Sequence, residues 1–172
     1  IAKIESLMNQ AGITVETTRP AVKAALVKSE MTGGRPAIAI ELPDGTIVTG
    51  KTSDLLGSAS AAILNALKTI ANIDDSHILI QPEIIEPIQK LKTDILGNHN
   101  PRLHLDEVLI ALTMSAVTSE DAKKAFEQLK NLKGSEAHAT VILSQVDRDT
   151  FRKLGINLTC EPQHESKKLY HK

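Results

Sequence analysis

The sequence is poor in cysteine, in aromatic residues and in excess charge. Its one cysteine, Cys160, leaves no partner for an internal disulfide and no cysteine pair for a zinc site. Phe126, Phe151 and Tyr170 are its only aromatic residues, so bases and sugar rings have little to stack on. The formal net charge is -1, which creates no positive field to attract nucleic acid or anionic lipid. We expect no nucleic-acid partner and no metal.

Long apolar runs are also missing, because no stretch approaches the roughly 20 residues that cross a bilayer. The first residues, IAKIESLMNQAG, lack a basic region and a cleavage site, and a lone cysteine suits a reducing compartment. We therefore expect a cytoplasmic protein with no membrane partner. Because the sequence begins without Met, we also expect a piece of a longer polypeptide, with the rest of that polypeptide as its partner.

The composition is that of a folded domain, with 172 residues, 41% of them apolar and 24% charged. Residues 2–11 have apolar side chains at helical spacing, and a second helix is expected from Pro20 to the glycines at 33 and 34. We interpret residues 1–32 as the end of a preceding helical region.

Residues 33–172 have the pattern of an α/β domain. Two β-rich runs flank Pro43-Asp44-Gly45, which indicates a hairpin. A β-α-β unit is expected near the carboxyl end, with Asp147 as the cap of its helix. Helices over about 82–134 are read as an insertion. The pattern predicts a mixed-sheet α/β sandwich of about four or five strands, plus amino-terminal and inserted helices. The predicted strands are 36–42, 46–49, 139–143 and 156–160, with 78–80 as an optional fifth, and a long helix is predicted over about 54–73.

Residues 45–52, GTIVTGKT, match the phosphate-loop pattern G-x-x-x-x-G-K-[ST]. A phosphate loop turns its backbone N–H groups around an anion, which requires residues that accept unusual φ and ψ. Residues 46–49 are all β-branched and favour a strand, and turn residues precede the first glycine. We interpret the match as a coincidence, formed by a hairpin strand that runs into a helix.

A smaller anion site remains open at the start of that helix. Lys51, Thr52 and Ser53 precede helical N–H groups that attract anions. The alternative is that Ser53 is a plain N-cap and Lys51 is solvated. His99 and Arg102 lie in the densest polar loop of the chain, where binding residues often concentrate. The alternative there is an exposed connection between two helices.

His138 stands before the predicted strand over 139–143, and Ser144 follows that strand. The length of the strand keeps the two side chains too far apart for a catalytic pair. We prefer a partly buried, hydrogen-bonded histidine, with anion binding as the alternative. The spacing of His99 and His104 fits no metal motif, and no cofactor is expected.

Four blocks of the sequence resemble the carboxy-terminal part of an uncharacterised bacterial family, domain of unknown function family 1846: GGRPAIAIELPDGTIVTGKTSDLLGSASAAILNAL, IEPIQKLKTDILGNHNPRLHLDEVLIAL, EAHATVILSQVDRDTFRKLGINLTCEP and KKLYHK. The resemblance runs essentially the full length and implies longer cytosolic proteins with a phosphate-loop-like segment upstream. It also implies a three-layer α/β/α sandwich with a cytidine-deaminase-like layout. The zinc-deaminase signature is absent, because Cys160 is the only cysteine. The family has no established catalytic residues to transfer.

Two functions remain open. The preferred one is a noncatalytic scaffold or oligomerisation domain, favoured by neutral charge, helices rich in small apolar residues and the lack of a catalytic triad. It implies a homo-oligomer. The alternative is part of an enzyme acting on a nucleotide or phosphorylated metabolite. In that case the chain supplies anion contacts from Lys51, Thr52, Ser53, His99, Arg102 and His138.

Overall fold

A computed structural model describes residues 19–163 as a four-stranded mixed sheet with six α-helices. The helix expected over 2–11 lies outside the described residues. The strands are β1 (Ala37–Glu41), β2 (Ile47–Lys51), β3 (Glu136–Ala139) and β4 (Asn157–Cys160). The helices are α1 (Pro20–Met31), α2 (Ser58–Ala71), α3 (Pro82–Lys90), α4 (Leu105–Ser115), α5 (Glu120–Glu127) and α6 (Gln145–Lys153). A π-helical turn, Leu91–Ile95, extends α3, and a 3-10 turn, Leu129–Leu132, follows α5.

The strand order is β2-β1-β3-β4. β1 is antiparallel to both of its neighbours, whereas β3 and β4 are parallel. β2, β3 and β4 therefore run in one direction and end at the same edge of the sheet, which we call the carboxyl edge. The predicted hairpin of β1 and β2 is confirmed, and its turn has the N–H of Thr46 donating to Asp44 Oδ1 at 2.9 Å.

The core lies mainly on one side of the sheet. Ile38 and Ile40 of β1 are fully buried there against α2, together with Ile63 and Leu67 of that helix. Side chains alternate along a strand, so Ala39 points the other way. It packs with Ala21 and Ala25 of α1. The absence of larger side chains at these positions allows α1 to lie close to the strand.

α2 begins later than the predicted residue 54. Ser53 closes a local turn in place of capping a helix, since its side chain bonds both the N–H and the carbonyl of Leu56. Leu56 then forms an isolated bridge with Leu103. The helix starts only at Ser58, with Gly57 as its N-cap.

Two predicted strands differ in the structure. Residues 78–80 form no strand, because Leu79 and Ile80 are buried in the core with no neighbouring strand to pair with. β3 ends at Ala139, where the prediction began. Thr140 makes the last bonds to β1, donating its N–H to the Ala37 carbonyl and accepting the Ala37 N–H at Oγ1. The apolar residues 141–143 are buried or half-buried in the following loop.

The β-α-β unit is present, but Asp147 is not the cap of α6. Ser144 is the N-cap, and its hydroxyl accepts the N–H of Asp147 at 3.2 Å. Among residues 19–163, no helix has the length and apolar character required to cross a bilayer.

Candidate functional site

A cleft of about 260 Å³ opens at the carboxyl edge of the sheet. Ligands of open α/β sheets bind outside the carboxyl ends of their strands. Three stretches of chain form the walls, and each leads into a helix. They lie within residues 52–59 before α2, residues 100–104 before α4 and residues 141–147 before α6.

The amino end of α2 faces this cleft. Gly57, Ser58 and Ala59 line it, and the N-cap Gly57 provides no side-chain acceptor. Thr52 Oγ1 accepts the N–H of Ser58 at 3.2 Å. The first N–H groups of a helix lack partners within the helix and carry partial positive charge. The start of this 14-residue helix therefore presents donors to the cleft.

The amino ends of α4 and α6 are occupied by acceptors from the chain itself. Asp147 Oδ1 accepts the N–H of Leu105 at 2.9 Å, and Glu107 Oε1 accepts the N–H of His104 at 2.8 Å. Ser144 caps α6 as described above. Of the three helix ends at the cleft, that of α2 is the one whose N-cap has no side chain.

Arg102 lines the cleft and is held at both its side chain and its backbone. Its Nε donates to the Ser53 carbonyl at 2.7 Å, and its own carbonyl accepts from Lys92 Nζ at 2.6 Å. Lys92 is only 3% exposed and also pairs with Glu107 at 2.8 Å. The π-helical turn thus places a buried lysine that fixes the backbone beneath the guanidinium.

Within residues 19–163, His104 and Asp147 are the titratable side chains that line the cleft besides Arg102. His104 Nδ1 lies 4.0 Å from Asp147 Oδ1. Burial raises the pKa of the Asp147 carboxyl. The hydrogen bond from the Leu105 N–H and the nearby His104 both lower this pKa, but their effect is smaller than that of burial. An imidazole beside a carboxyl group whose pKa is raised can exchange protons with a ligand held in the cleft.

The structure brings together only part of the predicted anion set. Thr52 and Arg102 line the cleft, and Ser53 holds Arg102 through its carbonyl. Lys51 is exposed at the end of β2, and His99 is exposed in its loop, so neither lines the cleft.

His138 also lies elsewhere, within β3 and not before it. It is 5% exposed, and its ring nitrogens bond Thr159 Oγ1 at 2.6 Å and Glu161 Oε1 at 3.2 Å. Burial lowers the pKa of His138, while Glu161 raises it to a smaller extent. The preferred interpretation, a hydrogen-bonded buried histidine, is confirmed. Ser144 is engaged in capping α6.

Sequence reasoning did not assign Gly57, Ser144 or Asp147 to a binding site. The spacing Ser144-x-x-Asp147 after a buried apolar run is a usable signal, because it marks a helix start beyond a strand. Its position at the carboxyl edge, however, follows from the pairing of distant strands. Within the described part of the chain, no group of three or more His, Cys, Asp or Glu side chains is placed to hold a metal ion.

Comparison with known proteins gives one consistent match. The family model described as "Domain of unknown function DUF1846, C-terminal" matches residues 17–170. A UPF0371 protein of Streptococcus pyogenes serotype M5 is 54% identical over 172 residues, covering 100% of this chain and 34% of the relative. A UPF0371 protein of Streptococcus thermophilus is 55% identical with the same coverage. The chain thus spans about a third of the length of the curated relatives it matches.

Proposed function

This chain belongs to the family described as domain of unknown function DUF1846, C-terminal, and we propose that it is the part of an enzyme that holds a phosphorylated small molecule. One observation carries the proposal. The amino end of α2, whose N-cap Gly57 has no side chain, and the guanidinium of Arg102 meet in a single cleft at the carboxyl edge of the sheet. The enzymatic activity belongs to the whole protein, and this chain contributes the anion contacts.

The chemistry of the cleft fits a small molecule that has an anionic group and is polar in its other part. Backbone N–H groups at a helix start and a guanidinium are the usual donors to phosphate oxygens. A volume of about 260 Å³ is near the lower end for small-molecule sites, which favours a small phosphorylated metabolite over a dinucleotide. His104 and Asp147 stand beside the same space and would move protons at the ligand.

The finer layout of the fold is part of the proposal. We infer a three-layer α/β/α arrangement similar to that of cytidine deaminases, with α1 and α2 on opposite sides of the sheet. Residues 82–134 are then a helical insertion in an α/β domain that begins at residue 33. The helix α1, at the end of a preceding helical region over residues 1–32, packs on the sheet of that domain. The alternation of Ala39 with Ile38 and Ile40 supports this layout.

Gly57→Asp directly tests the proposed anion-binding position at the amino end of α2. The variant places a carboxylate at the N-cap of α2, where the anionic group of the ligand would lie. Gly57 has φ -71° and ψ 166°, and a Cβ there meets nothing within 4 Å, so the variant should fold. Aspartate is a better N-cap than glycine by a few tenths of a kcal/mol. We expect an unchanged or raised melting temperature without ligand, and loss of the further rise that phosphorylated compounds cause.

The ligand panel consists of inorganic phosphate, nucleotides and sugar phosphates, each beside its unphosphorylated counterpart. A ligand at a hundred times its Kd stabilises the folded state by about 2.7 kcal/mol, which a thermal melt resolves. Gly57→Asn is the matched control, with the same shape and no charge, and should keep most of the response. Lys51→Ala removes a cation outside the cleft and should keep all of it. Loss of the response in Lys51→Ala but not in Gly57→Asp would contradict the proposal.

A scaffold or oligomerisation domain is the second candidate function. Exposed apolar side chains support it, including Met31 at 77% and Val117 at 83% exposure. A homo-oligomer would show as a multiple of the chain mass in light scattering at micromolar concentration. Both candidate functions are compatible with a cytoplasmic protein, the compartment that the lone cysteine suits.

A further inference from the structure

α4 is apolar on the side that faces solvent as well as on the side that faces the core. Leu105, Val108 and Leu112 are fully buried. On the outer side, Ile110 and Met114, four residues apart, are 61% and 55% exposed, and Val117, three residues further on in the turn after α4, is 83% exposed. Residues at these spacings lie in a line along a helix. We call this line the α4 stripe.

α4 carries charge only in its first turn, at Asp106 and Glu107. From residue 108 to residue 119 the chain has no Asp, Glu, Lys or Arg. A surface helix of a soluble domain normally presents charged or polar side chains to water, whereas a helix that is apolar all round is buried. The neighbouring helices follow that rule, since α5 has the sequence EDAKKAFE and α6 has QVDRDTFRK. Beyond its first turn, α4 therefore has the composition of a core helix with one side uncovered.

We propose that the α4 stripe is covered, in the full-length protein, by the part of the same polypeptide that precedes this chain. The matched family model is a C-terminal domain, and the chain covers 34% of its relatives, so about two thirds of such a protein lies on the amino-terminal side. Contacts between domains of one chain typically bury 600–1,500 Å². An interface of that size would cover the stripe.

The absence of charge beyond the first turn of α4 favours this occupant over a transient partner or a second copy. A stretch of helix with no charged side chain suits a position that is covered permanently. A neighbouring domain of the same chain is always present at high effective concentration, independent of expression level. The proposal does not depend on the anion cleft, which is lined by other residues of the fold.

Methionine oxidation in the full-length wild-type protein tests the proposal without any substitution. Met114 lies in the stripe at 55% exposure, and Met31 lies on α1 at 77% exposure. Mass spectrometry measures the rate at which peroxide oxidises each of these two methionines, in the native protein and in the urea-unfolded protein. We expect the oxidation of Met114 to be about tenfold slower in the native protein than in the urea-unfolded protein, because oxidation follows exposure. This difference should be the same at every protein concentration. Native and unfolded rates at Met114 that agree within about twofold would overturn the proposal.

A pair of lysine variants gives the second measurement. Ile110→Lys places a charge in the stripe, and Ile78→Lys places one at a loop residue of similar exposure, 57%. We expect Ile110→Lys to restore rapid oxidation of Met114 and to lower the melting temperature of the full-length protein, and Ile78→Lys to do neither. Protection of Met114 that disappears on dilution, together with a fall in light-scattering mass, would mean that a second copy covers the stripe. That result would also overturn the proposal.

Discussion

Gly50 lies where α2 crosses β2 so closely that a Cβ would overlap the backbone of Ala61 and Ala62. Gly45 has φ +90° at the tip of the hairpin, a conformation that glycine adopts without strain. Both glycines of the GTIVTGKT stretch thus have structural roles, one in packing and one in the turn. Ile47–Lys51 is a strand paired with β1, as its β-branched side chains predicted. The phosphate-loop pattern is a coincidence of sequence.

Gly50→Ala should lower the free energy of unfolding by about 3 kcal/mol, because the added methyl group forces the helix away from the sheet. Neither backbone can move easily, since β2 is paired with β1 and α2 is packed on the core. Urea denaturation measures the effect.

Gly45→Ala serves as the comparison for this prediction. A Cβ at Gly45 meets nothing within 4 Å, so only the positive φ is unfavourable. That strain is about 1 kcal/mol. Equal losses for the two variants would show that the close approach of α2 to β2 is not the reason for Gly50.

At the scale of elements, the start of α2 and the end of β3 are set by hydrogen bonds from side chains to the backbone. They do not coincide with changes in helix or strand propensity along the sequence. Ser53 turns the chain back onto Leu56, and Thr140 closes the ladder against Ala37. Asp147 provides a third example, because it belongs to α6 yet accepts the first N–H of α4. Contacts of this kind join segments that sequence periodicity treats as separate.

Asp147→Asn should raise the free energy of unfolding at pH 7. Burial raises the pKa of the Asp147 carboxyl above its usual value of 3.8, so the folded protein binds this proton more tightly than the unfolded chain. The stabilising contribution of the Asp147 carboxyl is therefore complete below pH 3.8 and is lost as the pH rises through its pKa in the folded protein. Asparagine keeps the acceptor for Leu105 without the charge. The advantage of the variant should grow between pH 4 and pH 8 in urea titrations.

Asp149→Asn, a half-exposed position on the same helix, is the matched control and should change stability by only a few tenths of a kcal/mol. A variant Asp147→Asn that is less stable than wild type at pH 7 would mean that the charge itself holds α4 and α6 together.

At the scale of the whole molecule, one polar network joins the start of α1 to the far strands of the sheet. Arg19 donates to Thr159, to Glu136 at 3.0 Å and to the Ala137 carbonyl at 3.0 Å. His138 connects the same Thr159 to Glu161. The network ties both ends of the described chain to β3, which lies at the centre of the fold.

Acidification should weaken the folded protein through this network. Burial lowers the pKa of His138 below its usual value of 6.5, although the facing Glu161 opposes the shift. The contribution of such a neutral histidine to stability is present above pH 6.5 and is lost as the pH falls through its pKa in the folded protein. We expect the free energy of unfolding to decline from pH 7 to pH 5, and the decline to be smaller in His138→Gln. His99→Gln, in an exposed loop, should leave the slope unchanged. An identical slope in wild type and His138→Gln would contradict this assignment.

Much of the fold could be predicted from the sequence because its determinants are local. The Pro43-Asp44-Gly45 turn, the helical period of α2 and the glycine at 155 that ends α6 each act over a few residues. The same is true of part of the site, since the sequence predicts Thr52 just before a helix start and Arg102 in a dense polar loop. Asp147 was read as a helix cap, which is its local appearance.

The sequence by itself determined the hairpin, most of the helices, the β-α-β unit and the strand character of GTIVTGKT, because short-range sterics and apolar periodicity control these features. Only the tertiary structure decided which polar residues share a cleft. β2 and β3 end at the same edge because β1 lies antiparallel between them, and this pairing brings Thr52, Arg102 and Asp147 together. Lys51, His99 and His138 do not line this cleft. Long-range strand pairing depends on the packing of the whole chain, and no local pattern records it.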